Sequence, residues 1–250
     1  MKLLIALVTF NRLEYTKKTL RGIWDTLEMP YYLIVVDNNS TDGTQEYLKS
    51  LLKRGRIDKL ILNPENYYPG KATNIAWAEG LQEYPQADFL VRLDNDMHFE
   101  KGWDFKAEEY FKTIDRLGQL GLDFDGGENK TPAFYNGMGL VEWPGCVGGC
   151  CIIRKEVYDA GIRYDEDKWE GSGSKLQEDS RFSRKVKADG WLVGHMDERL
   201  SWTFADKSNW HEQVDYYIKT MYDRGYYDNV EYLKGLKDEM ERKNQDKNNV

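Results

Sequence analysis

The chain has 250 residues, of which 40% are hydrophobic and 31% charged, and a formal net charge of −8. That composition fits one large α/β domain or two small ones and excludes a disordered chain. The acidic balance argues against bulk binding to nucleic acid or to an anionic membrane surface, leaving room only for a local basic patch.

Residues 3–9, Leu-Leu-Ile-Ala-Leu-Val-Thr, are a continuous apolar run that predicts a buried parallel strand. The run is short, no small-residue cleavage site follows and Asn11-Arg12 closes it, so it reads as a strand rather than a signal peptide. No stretch approaches transmembrane length, and the expected location is cytoplasmic, with any membrane contact peripheral. Residues 11–26 read as a helix with Leu13, Thr16, Leu20 and Ile23 near one face. Residues 32–36 are a second buried strand, followed by the turn-rich Asp-Asn-Asn-Ser-Thr-Asp-Gly-Thr at 37–44, which carries helix-capping side chains. A helix at 44–53, a strand at 59–62, a helix at 71–79 and a strand at 89–93 continue the pattern. This alternation predicts a doubly wound, mostly parallel sheet flanked by helices.

The second half differs. Residues 118–149 are rich in glycine, contain Pro132 and Pro144 and show little periodicity, which reads as a long functional loop. A strand at 150–153, a helix at 178–188, short strands at 191–193 and 200–204 and a helical tail at 211–250, fraying after 243, complete the expectation. Cys146, Cys150 and Cys151 have no partner cluster for zinc and make a poor disulfide framework. They read as small buried residues of a reducing compartment.

The chemistry concentrates at predicted strand ends. Asp94-Asn95-Asp96 follows the run 89–93. On an extended segment, carboxylates at i and i+2 point to the same side, and a hard divalent cation that also meets phosphates would relieve their repulsion. Residues 9–11, 37–42 and 94–96 all fall where doubly wound sheets bind ligands, beyond the carboxyl ends of strands. No Gly-rich phosphate loop and no Gly-x-Ser-x-Gly elbow is present. Taken singly, each candidate has a plainer reading: Asp37 and Asp42 as helix caps, Lys71 as a solvated charge, Glu178 and Asp179 as helix-start acids, Gly148-Gly149 as a turn.

Taken in order, the motifs resemble the family 2 glycosyltransferases, inverting enzymes of the GT-A fold. The resemblance rests on Val8-Thr9-Phe10-Asn11-Arg12, on residues 35–44, on Asn66 through Gly70-Lys71-Ala72 to Asn74, and on Asp94-Asn95-Asp96. It continues through Gly148-Gly149 with Ile152-Ile153-Arg154-Lys155 and through Gln177-Glu178-Asp179 with Arg184 and Gly190-Trp191, so it spans residues 3–204. It implies a GT-A catalytic domain at 1–210, with a nucleotide-sugar half at 1–105 and an acceptor half at 106–210, and a helical tail at 211–250. It implies a nucleotide diphosphate sugar as donor, UDP-linked by preference, held by Thr9, Asn11, Arg12, Asp37, Asn39, Lys71, Asp94 and Asn95. Asp37 would accept from a base N3–H. Mn²⁺ or Mg²⁺ would sit on Asp94 and Asp96, with Asp96 the more direct ligand. Asp179, with Glu178, would take the proton from an acceptor hydroxyl, and Gly148, Gly149 and Trp143 would line the acceptor site. The acceptor class, whether glycan, lipid-linked glycan, protein or modified base, stays open.

The sequence departs from the family pattern after 200–204, where relatives carry a metal-binding histidine. His211 is the favoured third ligand, with Asp206 and His195 as alternatives. Two rival readings are a sugar-1-phosphate nucleotidyltransferase, against which the absent early Gly-rich loop speaks, and a non-catalytic binding protein of the same fold, against which the intact carboxylates speak.

Overall fold

The structure is a computed structural model that describes residues 1–122, 132–142, 147, 150–166, 178–204, 213–223 and 227–248. The described chain forms two compact units. The larger contains residues 1–167 and 178–203; the smaller takes the rest, of which two helices are described.

In the larger unit, β1 (Leu3–Thr9), β2 (Tyr31–Asp37), β3 (Lys59–Leu62) and β4 (Phe89–Asp94) alternate with helices α1 (Leu13–Thr26), α2 (Thr44–Lys53) and α3 (Tyr68–Glu83). After them come β5 (Met97–Phe99), α4 (Trp103–Thr113), β6 (Leu117–Gly121), β7 (Ala133–Tyr135), β8 (Met138–Glu142), β9 (Cys151–Arg154), α5 (Lys155–Asp159), α6 (Glu178–Ala188), β10 (Leu192–Met196) and β11 (Ser201–Thr203). The nine-stranded sheet has the order β3-β2-β1-β4-β9-β6-β10-β8-β7, and a two-stranded sheet pairs β11 with β5. β9 and β8 run against their neighbours, and the other strands of the large sheet share one direction.

The apolar run of β1 is explained by its central place. Leu3, Ile5 and Leu7 join the core on one face, while Leu4, Ala6 and Val8 join the core on the other. A strand covered on both faces cannot alternate polar with apolar residues. Each Leu, Ile or Val among them contributes roughly 1.5–3 kcal/mol through removal from water. On the second face Trp77 of α3 is fully buried, and its indole N–H donates to the Val91 carbonyl at 3.2 Å.

Several expectations change. The stretch 118–149 was expected to be a loop, but its described part holds most of β6 and all of β7 and β8. Glycine here serves packing: a Cβ on Gly118 would lie 2.5 Å from Trp191, and one on Gly121 would lie 2.4 Å from His195. β5, α4 and α5 were not anticipated. α1 starts at Leu13 rather than 11, because Asn11 and Arg12 take left-handed conformations, φ 53 and φ 59. Cys150 and Cys151 are buried and free; Cys146 lies outside the described residues.

In the smaller unit, α7 (Val214–Asp223) and α8 (Tyr227–Asn248) pack through Val214, Tyr217 and Leu233, and Lys237 reaches Asp215 at 2.7 Å. Among the described residues, no helix is long and apolar enough to cross a membrane.

Candidate active site

Strand order reverses at β1: β2 and β3 extend the sheet on one side and β4 pairs on the other. In open α/β sheets the crevice beyond the carboxyl ends at such a switch point binds ligands. The register sets Thr9 opposite Asp37 and Val8 opposite Asp94, so the ends of three strands meet there.

On the β2 side, Asp37 is fully buried and organises the loop that follows it. One carboxylate oxygen accepts from the hydroxyls of Thr9 (2.8 Å) and Ser40 (2.5 Å); the other accepts from the Ser40 backbone N–H (2.8 Å) and the Gln45 amide (3.0 Å). Four donors fill the acceptor capacity of a carboxylate. Asn11 ties the two loops together: its N–H donates to Ser40 Oγ at 2.7 Å, and its Oδ1 accepts from the Thr41 N–H at 2.9 Å. Asp42 accepts from the Leu13 N–H at 2.8 Å, the Thr44 N–H at 3.2 Å and the Thr44 hydroxyl at 2.6 Å, and so closes the starts of α1 and α2. Burial alone would raise the Asp42 carboxyl; the hydrogen bonds from Thr44 and Leu13 outweigh it and hold its pKa below the ordinary value. Asn39, at φ 62, is exposed.

On the β4 side only Asp94 belongs to the strand. Asn95 and Asp96 make the turn into β5, so the two carboxylates approach each other around a turn rather than along an extended segment. Arg12 Nη1 lies 2.8 Å from Asp96 Oδ2, and its Nη2 donates to Asn95 Oδ1 at 2.7 Å. Asn95 is buried, and its amide donates to the Asn11 carbonyl and to Thr16 Oγ1, both at 2.9 Å. Its side chain is therefore committed to the protein. Burial raises the Asp94 carboxyl; Asp96 and Glu178 push it further up, while Arg92 and Arg12 pull it back.

Across the crevice, α6 opens with Glu178 and Asp179. Glu178 Oε1 accepts from Arg92 Nη2 at 3.3 Å, and Asp179 Oδ1 accepts from the Ser180 N–H at 2.6 Å. The first turn of α3 adjoins them, since a Cβ on Gly70 would stand 3.5 Å from Glu178 Cδ. Lys71, next in the chain, places its ammonium 4.1 Å above the Tyr67 ring. Asp94, Asp96, Glu178 and Asp179 set against Arg12 and Arg92 leave two negative charges in excess.

Two residues of this site were not singled out from sequence. Arg92 is 2% exposed and reaches both Asp94 and Glu178; its signal was a charge inside a central apolar strand. Tyr164, fully buried, lies under the Arg92 guanidinium at 4.7 Å from its ring, and its backbone N–H donates to Asn74 Oδ1 at 3.1 Å. Trp143, Gly148, Gly149, Asp206 and His211 lie outside the described residues. His195 is in β10, separated from β4 by β9 and β6. Three strand spacings set it roughly 14 Å from the Asp94 strand, too far for a shared ion. Among the described residues no group of three or more His, Cys, Asp or Glu side chains forms a metal cluster. A 610 Å³ cavity among Thr113, Arg116, Phe134, Tyr135 and Leu192 opens where β6 and β10 begin and touches none of these groups.

Residues 4–161 match Glycosyl transferase family 2, more than half of the chain. The chain belongs to that family. The fold of this glycosyltransferase is similar to residues 1–349 of S. aureus TarS, solved in complex with UDP, with a TM-score of 0.60 and 17% identity over 86% of this chain and 63% of that one. It is also similar to the mannosyltransferase PcManGT from Pyrobaculum calidifontis in complex with GDP-Man and Mn²⁺, with a TM-score of 0.62 and 14% identity over 89% of this chain and 62% of that one. A third likeness is to GalNAc-T7 with UDP, GalNAc and Mn²⁺, with a TM-score of 0.60 and 16% identity over 81% of this chain and 43% of that one. At these identities the likeness is one of fold, and the GT-A architecture is shared. The chain spans less than two thirds of each of the three structures.

Proposed function

We propose that this family 2 glycosyltransferase moves a sugar from a UDP-sugar to an acceptor hydroxyl with inversion, in a single metal-assisted displacement. The observation that carries the reading is the crevice at the β1/β4 switch point, where the carboxylates of Asp94, Asp96, Glu178 and Asp179 outnumber the guanidiniums of Arg12 and Arg92. A divalent cation matches that excess and needs only one or two protein carboxylates when phosphates and water complete its shell. Asp94 and Asp96 would hold Mn²⁺ or Mg²⁺; His211 and Asp206, the candidates for a third ligand, lie outside the described residues. When bound, the ion supplies neutralisation of charge on the departing diphosphate. The neighbours' complexes with UDP, GDP-Man and Mn²⁺ support a nucleotide-diphosphate donor and a divalent ion.

The residues of the chain divide the remaining work. Thr9, Asn11, Asp37 and Asn39 shape the base and ribose side. Both Asp37 oxygens already accept two donors each, so a base N3–H meets Asp37 by replacing the Gln45 amide, the partner nearest solvent. Arg12 and Lys71 supply positive charge toward the diphosphate. Asp179, with Glu178 beside it, takes the proton from the acceptor hydroxyl as that oxygen attacks the anomeric carbon. One attack with one base and no covalent intermediate inverts the configuration. We assign 1–105 to donor binding, 106–210 with Trp143, Gly148 and Gly149 to the acceptor, and 211–250 to a helical tail.

The test pairs binding with turnover. UDP affinity is expected to fall sharply in EDTA and in Asp96→Ala; equal affinity with and without Mn²⁺ removes the metal from the mechanism. Asp179→Asn is expected to lose roughly 10²–10⁴-fold in turnover with UDP affinity nearly preserved. Turnover within a few-fold of wild type moves the base to Glu178.

A further inference from the structure

Arg92 enters the reading above only as a charge in the crevice, with no part assigned to it in binding or in the chemical step. It lies on the central strand β4 with its side chain on the face packed by α3 and α6, and it is 2% exposed. Its Nη2 is 3.3 Å from Glu178 Oε1 and 3.7 Å from Asp94 Oδ1. One buried guanidinium nitrogen thus touches a carboxylate on the donor strand and the carboxylate that opens the helix bearing Asp179. The ring beneath it belongs to Tyr164, 4.7 Å from the guanidinium carbon. That ring stacks on Phe182 of α6, with centroids 4.1 Å apart and planes 14° from parallel. Arg92 therefore meets α6 twice: directly through Glu178 and indirectly through the Tyr164–Phe182 stack. Nη2 is the guanidinium nitrogen that meets both carboxylates.

We propose that Arg92 is a positioning residue that fixes the first turn of α6, and with it Asp179, at a set distance from the diphosphate-side carboxylate Asp94. The physical reason is like-charge crowding. Asp94 and Glu178 repel each other in a poorly hydrated place, and without a cation between them the mobile partner moves away. Asp94 ends a strand hydrogen-bonded on both sides, so the start of α6 is the part that moves. β1 lies between β4, which carries Arg92, and β2, whose base-side loop is held by Thr9, Ser40 and Gln45 on Asp37. Loss of Arg92 should misplace the proton acceptor while leaving the nucleotide site formed. A lysine keeps the charge but replaces a planar fork by a point, and should recover part of the effect.

This inference rests on the transferase reading for its kinetic arm alone. The experiment compares wild type with Arg92→Gln, Arg92→Lys and Arg92→Gln/Glu178→Gln, using donor turnover with Mn²⁺, calorimetric UDP affinity and backbone hydrogen exchange. Expected for Arg92→Gln is at least a 30-fold loss of kcat, with donor KM and UDP affinity within three-fold of wild type, and at least ten-fold faster exchange confined to residues 178–182. Arg92→Lys should recover a third or more of each logarithmic loss. In the double variant the repulsion is gone, so exchange at 178–182 should return toward wild type. Unchanged exchange at 178–182 in Arg92→Gln, or kcat within three-fold of wild type, overturns the proposal. So does a loss that falls on KM and UDP affinity instead of kcat. Should Arg92→Gln not fold, Arg92→Lys decides: slower turnover at unchanged KM supports the proposal, and wild-type kcat overturns it. Faster exchange at 178–182 in a protein whose wild type shows no donor turnover supports the positioning role and overturns the transferase reading.

Discussion

At the scale of single residues, the carboxylates of the crevice do different work according to what surrounds them. Asp37 is a hub: replacing it by Ala leaves the Ser40 hydroxyl, the Ser40 N–H and the Gln45 amide without their acceptor and the Thr9 hydroxyl with only the Val36 carbonyl at 3.5 Å. Hydrogen bonds to a charged group contribute roughly 1.5–3 kcal/mol each at most, so Asp37→Ala should cost at least about 2 kcal/mol in urea unfolding. Gln45→Ala tests the base contact separately. With the competing amide gone, UDP should bind a few-fold tighter by calorimetry, and weaker binding would remove Asp37 from the base. Asp42 acts on stability. Its folded pKa is lowered, so its contribution is fully present above the unfolded value of about 4 and fades as pH falls through the folded value. Asp42→Ala removes a cap shared by two helices and should cost about 1–2 kcal/mol at pH 7. The gap between the unfolding free energies of wild type and variant should narrow below about pH 4.

At the scale of elements, the site depends on how closely helices approach the sheet. Gly80 in α3 faces β1 and β2, and a Cβ there would stand 2.8 Å from Leu4 Cδ1 and 3.1 Å from Ile34 Cγ1. Alanine in a helix interior gains about 1 kcal/mol over glycine, but overpacking of a filled core costs about 1–3 kcal/mol. The contact is with branched side chains inside a buried layer, so the steric cost wins. Gly80→Ala should lower stability by about 1 kcal/mol and shift α3 outward. The first turn of α3 adjoins Glu178, so donor turnover should fall along with Tm; a variant with raised Tm would show that the layer has slack.

At the scale of the whole molecule, ligand binding and folding are linked. A UDP and Mn²⁺ mixture at 100 times its Kd stabilises the native state by about 2.7 kcal/mol. For a chain of this length 1 kcal/mol corresponds to about 2–4 °C, so Tm should rise by roughly 5–11 °C. The same UDP with EDTA should give a small fraction of that shift. An equal shift under both conditions separates nucleotide binding from metal binding and leaves the excess negative charge of the crevice without its cation.

The sequence by itself determined the alternation of strands and helices in residues 3–94, because a strand buried on both faces must be apolar throughout and polar loops must close it. It determined the family as well, since Asp37 to Thr44, Asp94 to Asp96 and Glu178-Asp179 occur in order at strand and helix ends. Only the tertiary structure decided which of these groups are free to meet a ligand. Asp37 and Asn95 prove committed to protein donors and acceptors, and hydrogen-bond saturation is a property of neighbours distant in sequence, such as Thr9 for Asp37 and Thr16 for Asn95. Only the structure separated His195 from Asp94, through two intervening strands that no local pattern announces. It also turned the glycines of 118–121 from loop residues into strand residues, because the bulk of Trp191 and His195 that they accommodate arrives from some 70 residues away. Arg92 is the case between. A charge in an apolar strand was a signal the sequence reading passed over, and its partners, Asp94 two residues on and Glu178 in another helix, are joined only by folding.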